Sequence, residues 1–109
     1  MFGLKNDDIK EIVSILKGFP EVEQAIMFGS RAMGNYRKGS DIDIALAGQK
    51  ANFDIALKIG GILNEETYMP YHFDVLSLID NTNKDLADHI DRHGKLLYRV
   101  GDISISNGP

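Results

Sequence analysis

With 109 residues, 43% of them hydrophobic and 26% charged, the chain is sized for one soluble globular domain with a modest core, expected over residues 1–100. It contains no cysteine, which excludes disulfides and thiolate-held metals. A net charge of −4 argues against a surface that grips nucleic acid through clustered cations. The opening MFGLKNDDIKEI lacks the apolar run of a signal peptide and no run could span a bilayer, so a cytoplasmic location is expected.

Asn6 or Asp7 is expected to cap a first helix reaching about Lys17, because Ile9, Ile12, Val13 and Leu16 recur at helical spacing before Gly18 and Pro20. Residues 22–28, VEQAIMF, read as a strand, and Ser30 starts a short helical turn. Residues 34–39 are polar loop, with Arg37 and Lys38 expected as solvated charges. Residues 41–47, DIDIALA, alternate and give the clearest strand. Asn52 can cap a second long helix, with Phe53, Ala56, Leu57 and Leu63 as core contacts and Gly60-Gly61 permitting close packing. A strand at 72–78 follows Pro70, a helix runs from about Thr82 to His93, and KLLYR forms a last strand after Gly94. Val75 and Leu86 join the core. Residues 101–109 are expected to be a flexible tail. The alternation predicts an α/β layer protein with a small mixed sheet packed against helices.

Side chains on a strand point alternately to its two faces. Asp41 and Asp43 therefore share one face with Ala45 and Ala47, while Ile42, Ile44 and Leu46 form the buried one. Too few residues separate Gly29 from Ile42 for a parallel crossover, so the first two strands should be antiparallel. The helix after Asn52 can return the chain for a parallel third strand. Gly29-Ser30, Asp41, Asp43 and Asp74 then converge at one edge. Three carboxylates in one place repel one another and call for a cation. With oxygen ligands alone the simplest ion is Mg²⁺, and two such ions can clamp a displacement at phosphorus. A glycine-serine turn at a helix start offers N–H groups and a hydroxyl to phosphate oxygens.

Gly29-Ser30, ten residues, then Asp41-Ile42-Asp43, with Asp74 in HFDVL, resembles the signature of the DNA-polymerase-β-like nucleotidyltransferase superfamily. FGSRAMG, SDIDIAL and IDRHGKLLY together resemble its minimal nucleotidyltransferase (MNT) subfamily over about residues 9 to 98. The resemblance implies a nucleotidyltransferase fold and roles for each residue. Asp41 and Asp43 would ligate both Mg²⁺ ions. Asp74 would complete one metal site and help deprotonate the acceptor hydroxyl. Gly29 and Ser30 would bind the terminal phosphates, with Arg31 as a further contact; Met33 stands where relatives often carry a second arginine. The reaction would be attack of the acceptor hydroxyl on the α-phosphorus of ATP, release of pyrophosphate, and AMP left on the acceptor. MNT proteins resemble antitoxins whose partner is a helical HEPN-domain ribonuclease toxin, modified on a tyrosine.

Two rival functions stand beside this one. The chain could neutralise a partner by occlusion, binding nucleotide without efficient transfer, or it could act on a small molecule. His72 shares a strand face with Asp74 and could line the cleft, but reads as an incidental strand-end histidine. His89 and His93 have the i, i+4 spacing of metal ligands but no evident third ligand and read as structural, and Tyr36 and Tyr71, which could accept a nucleotide, read as loop aromatics.

Overall fold

The computed structural model describes residues 2–37 and 39–101. Lys38 and the expected tail after Gly101 lie outside the described residues. Among the described residues four helices and four strands follow in the order α1 (Asn6–Lys17), β1 (Gln24–Phe28), α2 (Gly29–Met33), β2 (Ile42–Ala47), α3 (Phe53–Glu65), β3 (Phe73–Ser77), α4 (Lys84–His93) and β4 (Lys95–Arg99).

The strands form one mixed sheet in the order β3-β2-β1-β4. β1 is antiparallel to β2 and to β4, and β2 is parallel to β3, with α3 as the connection. Each face of the sheet is covered. Ala25, Met27, Ile42, Ile44, Leu46 and Phe73 pack into one cluster with Ile12 and Leu16 of α1 and Ile55, Ile59 and Leu63 of α3. On the other face Phe28 and Ala45 meet Ile90 of α4, with Ile26, Leu76, Leu78 and Leu86 around them. Ala45 is small, which lets α4 approach the sheet closely beside the acidic positions.

Several local expectations shift. Asn6 is the first residue of α1 and not its cap; Lys5 precedes it without a side-chain bond, while Asp7 and Asp8 in the first turn favour the helix dipole. Asn52 does cap α3, its Oδ1 accepting the Ile55 N–H at 3.1 Å. Phe53 and Leu57, expected in the core, are 59% and 58% exposed. The buried stripe of α3 is Ile55, Ala56, Ile59 and Leu63, and a residue two places from Ile55 lies about 200° round the helix. The last helix begins at Lys84, because Asn83 caps it through the Leu86 N–H. Among the described residues no helix is long and apolar enough to cross a membrane.

β3 is an edge strand, and α3 covers the start of that edge. Asn64 Nδ2 donates to the Phe73 carbonyl at 2.9 Å, and the Phe73 N–H donates back to Asn64 Oδ1 at 2.8 Å. A side-chain amide thus replaces the missing neighbouring strand one residue before Asp74.

Candidate active site

The register brings the acids together. Phe28 of β1 stands opposite Asp43 of β2, and Asp43 stands beside Asp74 of β3. Phe28, Asp43 and Asp74 line a cleft of about 220 Å³ whose far side includes Leu86 of α4. β2 starts at Ile42, so Asp41 sits one residue outside the strand and is exposed. Three hydrogen bonds bracket it: the Ser40 carbonyl accepts two from Arg31, and the Ile42 N–H donates to the His72 carbonyl at 2.9 Å. Asp41 and Asp74 reach His72, each of the three offering one ligand atom within 4.8 Å of the others.

Asp43 is only partly exposed. Its carboxyl is pushed above the ordinary carboxylate value, first by burial, then by the negative charges of Asp74 and Asp41; His72 and His89 oppose the shift. Negative charge therefore accumulates at this edge of the sheet. The two exposed carboxylates of Asp41 and Asp74 and the His72 imidazole are a donor set that fits a divalent metal ion.

Gly29 opens α2 at φ +76°, a left-handed conformation that favours glycine. A Cβ at this position would overlap Asp43 Oδ2, so the absence of a side chain is needed twice. The Gly29 N–H donates to His89 Nε2 at 3.3 Å, and the His89 ring stands edge-on to Phe28 at 6.3 Å. His89, expected as a structural helix residue, thus meets the glycine-serine turn. The signal was available: Leu86, His89, Ile90 and His93 lie at i, i+3, i+4 and i+7, so His89 is on the apolar stripe that faces the sheet. Ser30 follows Gly29 in the same turn.

Arg31 is turned elsewhere. It is 4% exposed, and its Nε and Nη2 donate to the Ser40 carbonyl at 3.2 and 3.0 Å while Nη1 donates to the Phe2 carbonyl at 3.0 Å. Its guanidinium lies 5.2 Å from the ring centres of both Tyr36 and Tyr71. Tyr71 in turn donates to Asp8 of α1 at 3.0 Å. The two tyrosines are thus walls of an arginine slot. Met33 is 49% exposed at the end of α2.

Known structures share this fold. A chain of a toxin–antitoxin structure with AMP-PNP is 21% identical, covering 91% of this chain and 79% of that one, with a TM-score of 0.71. A chain of the complex between the tri-AMPylated HEPN toxin of Shewanella oneidensis and an MNT antitoxin is 18% identical over 94% of this chain and 79% of that one, with a TM-score of 0.67. A Sulfolobus solfataricus protein described as a candidate nucleotidyltransferase is 25% identical over 84% of this chain and 77% of that one, with a TM-score of 0.53. A search of curated proteins finds no significant match. The family model described as polymerase beta, nucleotidyltransferase matches residues 10–101, which contain the strand register and the glycine turn described above, and the chain belongs to that nucleotidyltransferase family.

Proposed function

We propose that this protein moves AMP from ATP to a hydroxyl of a partner protein, a tyrosine of a HEPN ribonuclease toxin, and so acts as the antitoxin of a toxin–antitoxin pair in the cytoplasm. The observation that carries the reading is the register Phe28–Asp43–Asp74 with Gly29 pressed against Asp43, within a family built for nucleotidyl transfer. The fold shared with structures of a tri-AMPylated HEPN toxin and of an AMP-PNP complex supports the choice of acceptor and nucleotide.

Asp41, Asp43 and Asp74 would hold Mg²⁺, in two ions, which when bound neutralises the carboxylates and draws charge from the phosphate oxygens. The chain's own groups do the rest. Asp43, partly buried, sets where the reacting phosphorus sits. Asp74, exposed at the head of β3, would take the proton of the acceptor hydroxyl. The Gly29 N–H and the Ser30 hydroxyl receive terminal phosphate oxygens, the former exchanging its bond to His89. Arg31, committed to the Ser40 and Phe2 carbonyls, holds the loop in place and is left out of the phosphate contacts.

The test is incubation of the protein with purified toxin and ATP labelled at the α-phosphate. Label moves to the toxin with the native chain and fails to move with Asp41→Asn or Asp43→Asn. Protection of cells by those variants would overturn transfer in favour of neutralisation by occlusion. Label appearing on small molecules and never on the toxin would overturn the protein acceptor.

A further inference from the structure

The ligand set read from the sequence contained only carboxylates, but the fold brings an imidazole among them. His72 stands one residue before β3, its carbonyl tied to the Ile42 N–H at 2.9 Å, so it lies at the same sheet edge as Asp41. Its Nε2 is 4.0 Å from Asp74 Oδ1, and the ligand atoms of Asp41, His72 and Asp74 all fall within 4.8 Å of one another. Ligands on one octahedral ion about 2.1 Å away sit about 3–4 Å apart. Small rotations of three exposed side chains close that difference. The present contact between His72 and Asp74 is an exposed pair of the kind that contributes little, so it does not hold the imidazole back from a cation. Asp43, half-buried beside Gly29, lines a cleft together with Asp74.

We infer that His72 is a metal ligand of this site, which makes the coordination between Asp41 and Asp74 mixed nitrogen and oxygen and shifts the preference from Mg²⁺ toward Mn²⁺. Mg²⁺ is a hard ion that takes oxygen and keeps its water, whereas imidazole suits first-row transition ions. The inference rests on the proposed nucleotidyltransferase site, since the same carboxylates hold the ion, but it is tested without substrate or turnover.

The experiment uses the full chain with MnCl₂ alone and reads the bound ion by pulsed electron paramagnetic resonance. A ¹⁴N coupling is expected in the native protein, changing to ¹⁵N when histidine alone is ¹⁵N-labelled. It is lost in His72→Ala and kept in His89→Ala. Titration gives at least a tenfold weaker Mn²⁺ affinity in His72→Ala, with Mg²⁺ affinity changed less than twofold. His72 is exposed, so its removal leaves the core intact. Bound Mn²⁺ without histidine coupling, or a coupling that survives His72→Ala, overturns the inference and leaves the proposed transfer reaction standing. A native chain that binds no Mn²⁺ at millimolar concentration also overturns the inference, while the labelled-ATP assay decides the transfer reaction separately.

Discussion

Two alanine substitutions at opposite ends of α2 separate backbone strain from displacement of Asp43. Gly29 and Gly34 both have left-handed backbones, at φ +76° and +82°. An alanine in that region costs about 1–2 kcal/mol of stability wherever it stands. At Gly34 nothing lies within 4 Å of the new methyl group, so Gly34→Ala carries that cost alone. At Gly29 the methyl meets Asp43 Oδ2, and restoring an ordinary contact requires the carboxylate oxygen to retreat by roughly 1 Å. A misplacement of that size in a reacting constellation lowers the rate about 100-fold. Urea denaturation should therefore show a loss of about 1–2 kcal/mol for Gly34→Ala and at least as large a loss for Gly29→Ala. Transfer of label from ATP should fall about 100-fold in Gly29→Ala and stay within about threefold of native in Gly34→Ala. Equal transfer by the two variants would refute the claim that the glycine fixes Asp43.

Removal of the Asp43 charge should stabilise the protein while abolishing transfer. The folded state raises this carboxyl above its ordinary value of 3.8, so the ionised form weakens the fold at neutral pH. The denaturation midpoint of Asp43→Asn should exceed native at pH 7, with the gap closing as pH falls through the raised value toward 3.8 and narrowing when a divalent ion is added. Arg31→Ala removes three hydrogen bonds to two backbone carbonyls and empties a buried slot between tyrosines, and a loss of about 3 kcal/mol is expected in urea. Arg31→Lys should recover less than half of it, because one ammonium cannot span the Ser40 and Phe2 carbonyls. Asn64→Ala should cost about 1–2 kcal/mol by exposing the Phe73 edge, and Asn64→Asp more than that, since a carboxylate oxygen then faces the Phe73 carbonyl.

The acidic constellation was legible because a strand has a fixed period and the connections were short. Asp43 and Asp74 fall beside each other in the parallel register once the antiparallel β1–β2 pair and the α3 crossover are granted. The burial of Ile42, Ile44 and Leu46 followed from the same alternation. Periodicity served less well on α3, where every third or fourth residue is apolar on two sides. Phe53 and Leu57 compete with Ile55 and Ile59 for the inward face, and only packing against the sheet decides between them. Arg31 was beyond reach of sequence alone, because its partners are backbone carbonyls, which carry no mark in side-chain identity. His89 was missed for a different reason: its stripe was visible, but its neighbour across space is the N–H of a glycine sixty residues away.

The ligands differ in what holds them, and this divides the site into a fixed half and an adjustable half. Asp43 is set by the register of two neighbouring strands and walled by Gly29, so it cannot follow a change in the loops. Asp41 and His72 stand outside the strands, and both are exposed. The Ser40 carbonyl is held by Arg31 on one side of Asp41, and the Ile42 N–H is held by the His72 carbonyl on the other. Loosening either bracket frees Asp41 while leaving Asp43 in place. Arg31→Ala should therefore weaken metal binding in the direction of Asp41→Asn, although the arginine faces a slot away from the cleft. The arginine after Gly29-Ser30 thus links the glycine turn to the acid pair mechanically, by fixing the end of the loop that delivers Asp41.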